Sequence, residues 1–334
     1  MTTAAPAASG ITAPARGTIE RVVRRNAWGM SLLGFLALLL VLTKLIHPGY
    51  GAADLENLAR ASIVLGLAAS AQAIVVIAGG IDLSIGAIIA LTNVTAAVLM
   101  AQTDETGAIA VVAGVLLLGL AIGAINGILV VATRVADIIV TLATSFIWSG
   151  CALLVLSRPG GGAATWLRDV VDGSIVVDWL PKALIVLLVV VGIVWLPLRR
   201  SRTGLALYAV GSHRLAAFRS GVNVNRTKIL SYMLCGLFAA AGGLALTAST
   251  GIGTPTTGTY TLAAVAAIVL GGVSLAGGQG GLLGPIVAAF MLALIRVDLV
   301  FLGVDPNYSV VVQGVIMVVV VMIGGLITLR RQRT

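Results

Sequence analysis

Asp82 is the one acid set deep inside an apolar block, in the stretch IVVIAGGIDLSIGAIIAL. Buried at mid-membrane it would cost about 2.5–3.5 kcal/mol on insertion scales, so its presence demands a reason. One reason is chemical, a proton- or ion-coupling site. The other is structural, a cap inside protein that satisfies backbone amides after the Gly79-Gly80 break. A coupling site usually needs a relay, and only Arg296 and Asp298 otherwise come near a span. The cap is the simpler account. Enzyme chemistry is poorly provided for elsewhere. None of Lys44, Lys182 and Lys228 follows a glycine, so there is no phosphate-binding P-loop. His47 and His213 lie far apart, and no His/Cys/carboxylate group has metal-ligand spacing. No serine nucleophile elbow is present. The sequence predicts no catalytic residue, no metal site and no cofactor held by this chain.

Uncharged polar residues are the other candidates. Asn93, Asn126, Thr141 and Gln313 fall within apolar segments, and Ser84 and Ser274 in the short turns after two Gly pairs. With Asp82 they would line a path for a neutral, hydroxyl-rich solute. The four in-span groups would serve equally as interhelical glue, worth about 0.6 kcal/mol each. The stretch 199–228 is of another kind, with seven Lys/Arg and no acid. Within it Ser212 reads as an N-cap, HRLAAFRS as two helical turns and Gly221 as the C′ glycine. Leu215 and Phe218, three apart, share one face. A solvated basic patch touching anionic lipid explains the arginines but not that apolar face. An apolar face rimmed by polar groups points to a docking partner.

These residues must be positioned by membrane helices. The 334-residue chain is 59% apolar and 10% charged, against about 25% charged in a soluble domain. It reads as an all-α polytopic membrane protein. The net charge of +9 sits in patches beside apolar spans, which marks topology and argues against nucleic acid. Cys151 and Cys235 lie in apolar segments and read as buried thiols. No cleavable signal peptide is visible ahead of the first span. Ten transmembrane helices are expected: 28–46, two within 58–101 that meet at 79–84, then 108–132, 138–156, 183–198, 229–249, 260–276, 282–303 and 309–329. That leaves an N-terminal tail 1–27, a permease domain 28–329 and a C-terminal tail 330–334. The two tails and the 199–228 loop hold 14 of the 21 Lys/Arg but only one acid, Glu20. The positive-inside rule therefore puts both termini and that loop in the cytoplasm. Gly119, Gly123 and Gly127 form a doubled small-xxx-small repeat for close helix packing. The segment around Gly79-Gly80 is echoed by AIVLGGVSLAGGQGGLLGPIVAAF around Gly271-Gly272. Broken helices in two pseudo-repeated halves point to a transport path.

Four stretches carry a resemblance: GGIDLSIGAIIAL (79–91), INGILVV followed by IIVTLATSFIWSG (125–150), RTGLALYAVG with AAFRSGVNVNRTKI (202–229), and IVLGGVSLAGGQGGLLGP (268–285). In this order they resemble the membrane permease subunit of bacterial ATP-binding-cassette importers for ribose, xylose, galactose and related monosaccharides. The resemblance implies a multi-pass protein of the bacterial inner membrane, with a second permease copy enclosing one path. It also implies two cytoplasmic ATPase subunits carrying ATP and Mg, and an extracytoplasmic solute-binding protein. A coupling helix before the seventh span would dock in a groove of the ATPase, a role that falls on Tyr208, Gly211, Ala216, Ala217 and Gly221. The chain departs from the family pattern where Gly-Gly-Asn-Pro-Glu-Ala-Ala becomes 211–217, GSHRLAA. Leu215 replaces the acid, which implies an apolar contact in place of a docking ion pair. Ala136-Asp137 and Gln279 are further departures. The function expected is the permease subunit of a sugar importer. The rival is a proton- or sodium-coupled carrier using Asp82, and a passive channel is weaker for want of a charge ring or filter.

Overall fold

A computed structural model describes residues 15–257 and 259–305, with isolated positions between 308 and 322. Among the described residues there are twelve helices, and pairing outside them is limited to two isolated bridges, Gly160 with Gly253 and Ser174 with Pro181. The helices are α1 (Ala15–Ile46), α2 (Ala52–Ile77), α3 (Ile85–Met100), α4 (Gly107–Thr133), α5 (Asp137–Val155) and α6 (Thr165–Val171). They continue as α7 (Lys182–Arg200), α8 (Arg202–Ser212), α9 (Arg214–Arg219), α10 (Val224–Thr250), α11 (Thr259–Leu270) and α12 (Leu283–Phe301).

Seven of these, α1, α2, α4, α5, α7, α10 and α12, are long and apolar enough to cross a membrane. The helices α3 and α11 are apolar but only 16 and 12 residues long, because each abuts a glycine break. Nine of the ten expected spans thus have a helix, and the tenth, 309–329, lies for the most part outside the described residues. Three boundaries differ from expectation. First, α1 begins at Ala15, so the segment with Arg21, Arg24 and Arg25 is helix, not tail. Second, α11 stops at Leu270 rather than near 276, where Gly271 and Gly272 remove the side chains that favour helix. Third, the 199–228 stretch is helix over most of its length. Ser201 caps α8 through its hydroxyl, which accepts from Gly204 N at 3.1 Å, and Leu207 and Val210 bury its inner face.

The middle of the protein is α2, buried on every side and almost wholly apolar from Ser62 to Ile77, and packed by α7, α10, α11 and α12. A helix apolar all round belongs in a core. By contrast α1, α5 and α7 keep large apolar side chains outward, including Leu45, Phe146, Leu154 and Ile193. Between α4 and α10 the glycine repeat acts as its spacing implies. A Cβ at Gly119 would collide with the Gly236 carbonyl, one at Gly123 with the Tyr232 carbonyl, and one at Gly127 would lie 2.9 Å from Ile229 Cα. Without side chains there, dispersion contacts form backbone to backbone, the main source of helix association in lipid.

The two Gly-pair breaks share one capping geometry. Gly80 N donates to Val75 O at 2.9 Å and Gly79 N to Val76 O at 2.9 Å; Val273 N donates to Ile268 O at 2.9 Å and Gly272 N to Val269 O at 3.1 Å. Both are Schellman motifs, whose C′ residue must be left-handed. Gly79 (φ 77°) and Gly272 (φ 80°) fill that position. The structural echo therefore pairs Gly79 with Gly272, one residue out of step with a simple pairing of the two Gly-Gly doublets.

Candidate functional site

Asp82, Ser84, Asn126 and Thr141 come together at the first break, each with no exposure to solvent. Asp82 Oδ1 accepts from Ser84 N at 2.8 Å and from Ser84 Oγ at 2.6 Å. The carboxylate thus closes an Asx turn, and Ser84 rather than Asp82 is the N-cap of α3. Cys235 Sγ of α10 approaches Asp82 Oδ2 at 3.5 Å. Ser84 Oγ in turn accepts from Asn126 Nδ2 of α4 at 2.8 Å, and Asn126 Oδ1 from Trp148 Nε1 of α5 at 3.2 Å. Thr141 Oγ1 of α5 accepts from Leu83 N at 3.0 Å. The break is pinned by side chains of three helices, which satisfies backbone and side-chain groups that lipid could not.

The other path candidates lie apart. Asn93, fully buried, sits farther along α3, where its Nδ2 donates to Thr247 Oγ1 at 2.8 Å and its Oδ1 accepts from Thr254 N at 2.6 Å. Half-buried Ser274 lies in the second break and, among the described residues, bonds through its backbone, accepting from Gly277 N at 3.0 Å and donating to Gln279 O at 3.2 Å. Gln313 lies outside the described residues.

Three glycine segments converge on one point: the end of α2, the end of α8 and the second break. Gly278 N donates to Ile77 O at 2.9 Å. A Cβ on Gly211 would collide with that same Ile77 carbonyl. A Cβ on Gly277 would lie 2.8 Å from Gly211 O and 3.1 Å from Gly79 Cα. Tyr208 OH, on the same helix as Gly211, donates to Gly280 O at 2.8 Å. Burial pushes the Tyr208 hydroxyl up from its ordinary value, with Arg199 opposing, which keeps it a neutral donor. The α8 helix is therefore joined, backbone to backbone, to both breaks at once.

Beyond this junction, α9 projects. Its N-cap is His213, whose Nδ1 accepts from Ala216 N at 3.1 Å, and not Ser212 as the sequence suggested. Ser212 is held as the last residue of α8, against Gly278. Ala217 is buried with Val210 and Val224, while Leu215 and Phe218 are 52% and 67% exposed. Gly221 (φ 82°) ends α9 in another Schellman motif, with Val222 N donating to Ala217 O at 3.0 Å.

Sequence reasoning missed one cluster beside this junction. Lys228 Nζ and Asp137 Oδ1 pair at 2.7 Å, and Tyr232 OH donates to Asp137 Oδ2 at 2.9 Å. Gly80 makes room, since a Cβ there would lie 2.5 Å from Asp137 Oδ2. The departure at Ala136-Asp137 was the available signal, for a lone acid opening an apolar helix requires a partner. No group of three or more His, Cys, Asp or Glu among the described residues has metal-holding geometry.

Comparison with known proteins places this architecture. A family profile described as branched-chain amino acid transport system / permease component matches residues 55–321. The ribose import permease protein RbsC of Escherichia coli K12 is 33% identical over 310 residues, covering 89% of this chain and 94% of the relative. The RbsC of Bacillus subtilis is 32% identical, covering 86% and 90%. The autoinducer 2 import system permease protein LsrD of Escherichia coli O9:H4 is 29% identical, covering 92% and 95%. No solved structure matches. With its apolar helices and its match to import permeases over most of its length, the chain is a multi-pass inner-membrane protein that belongs to this permease-component family.

Proposed function

We propose that this chain is the membrane-spanning subunit of an ATP-driven importer for a monosaccharide or similar small polyhydroxylated solute. Ten spans leave both termini in the cytoplasm, on the side of α8 and α9. Two copies enclose one path, a binding protein delivers solute from outside, and two ATPase subunits carry ATP and Mg below. The path itself is assigned to the region of Asp82, Ser84, Asn93, Asn126, Thr141, Ser274 and Gln313. The names of the relatives support the solute class, since they import ribose and autoinducer 2.

One observation carries the mechanical half of this reading. Near the end of α8, Gly211 lies backbone against backbone on Ile77 of α2 and Gly278 of the turn before α12, and Tyr208 of the same helix donates to Gly280 O. Interfaces of this kind have discrete arrangements and do not deform smoothly. A push on Leu215 and Phe218 would therefore move both helix breaks together, and the path would switch between outward- and inward-open forms. The acid missing at position 215 makes this an apolar docking. Asp82 has local partners in Ser84 and Cys235, which supports the turn-capping reading over the self-powered carrier. The test is Leu215→Asp and Phe218→Asp in the assembled complex. ATP hydrolysis should continue while transport falls at least tenfold, with the protein still inserted. Normal transport by both variants would remove α9 as the docking element.

A further inference from the structure

A cavity of about 520 Å³ opens between the end of α4, the start of α5, the head of α9 and the first turns of α10. That is the size range of small-molecule sites. Its cations are Arg134, Arg214 and Lys228, and its acid is Asp137. Asp137 is already taken up by Lys228 and Tyr232. Among the described residues neither Arg134 nor Arg214 has a carboxylate within ion-pair distance. Two positive charges thus face the cavity unneutralised. Arg134 also adopts a left-handed backbone (φ 58°), uncommon for a side chain of its size, where α4 ends. The rest of the lining is Val130, Val131, Val135 and Ala136, with the polar side chain of Asn225. On the flanking helices, Leu129 of α4 and Ile138 and Ile139 of α5 are exposed.

We infer that this cavity binds the phosphate-bearing head group of an anionic phospholipid, held beside α9. The chemistry has two halves and a lipid matches both. A phosphodiester meets Arg134 and Arg214, which bind such oxygens through their forked donors, and the acyl chains lie along the valine wall and the exposed isoleucines. An acidic side chain of a docked protein would match the cations alone. Basic pockets between membrane helices on the cytoplasmic side are suited to this class of ligand. Occupancy would fix Arg214, the first residue of α9, to the ends of α4 and α5. Lipid composition would then tune how firmly the docking element is held. This inference takes the membrane side of α9 from the proposed function. Lipid retention is read without transport, so a chain that keeps lipid yet moves no solute would fail only the functional reading.

The test is native mass spectrometry of the purified full-length permease, titrated with phosphatidylglycerol or phosphatidylcholine. Phosphatidylglycerol should be retained in preference, and Arg134→Gln with Arg214→Gln should weaken it roughly fivefold per cation removed. The single variant Arg214→Gln, at an exposed and unpaired position, keeps the test open if the double variant is unstable. Equal retention of the two lipids, or unchanged retention by the variants, would overturn the inference. So would displacement by inorganic phosphate, which would mark an ion site. Lost affinity for the ATPase subunit with lipid retention intact would assign the arginines to protein docking and overturn it too.

Discussion

Gly211 has no room for a side chain. A methyl group there would run into the Ile77 carbonyl, which is already engaged by Gly278 N. Gly211→Ala should therefore force the α8 end away from both breaks, at about 1–3 kcal/mol. Thermal unfolding in detergent should fall accordingly, and coupled transport should fall further than stability alone explains; a silent Gly211→Ala would show that the junction is loose. Asp82 behaves differently, because its oxygens hold a turn. Asp82→Asn should reduce thermal stability while leaving the pH profile of transport in place. A displaced profile would point instead to ion coupling at this carboxylate. The residue types at these sites were readable in advance, and their partners were not. Ser84, Asn126 and Trp148 lie on three different segments, and only the tertiary fold makes them one chain of hydrogen bonds.

At the scale of elements, the apolar runs and their glycine and charged interruptions foretold most helices, and the α4 repeat identified a close-packed helix without naming its partner. That partner, α10, presents Gly236 opposite Gly119, so Gly123→Leu should separate the pair and lower expression or melting temperature sharply. The 199–228 stretch was harder to read, since its charge density masks the apolar inner face of α8. The helix α6 lies in the long segment before α7. Its first amide, Thr165 N, is capped by Glu105, which also accepts from the Thr165 hydroxyl. The backbone hydrogen bond from Thr165, followed by that of its hydroxyl, holds the Glu105 carboxyl below its ordinary value of 4.5. A depressed carboxyl stabilises above its unfolded pKa and loses this as pH falls through the folded one. Protection of Thr165 N from hydrogen exchange, corrected for the intrinsic pH trend, should therefore fall as pH drops below about 4.5, and Glu105→Gln should abolish that dependence. Exchange that tracks the intrinsic trend in the native chain would remove Glu105 as the anchor.

For the whole molecule, composition and the length of the apolar runs sufficed for the all-α, multi-pass membrane class. The central position of α2 did not follow from them, because an apolar run reads the same whether it meets lipid or protein. A chain with no phosphate loop does not bind ATP through that motif itself. The most direct measurement is uptake of labelled monosaccharides, beginning with ribose, into vesicles that hold this chain alone or with the proposed ATPase and binding protein. Concentrative uptake should appear only in the complete system and only with ATP. Accumulation driven by a proton or sodium gradient in vesicles holding the chain alone would contradict the account.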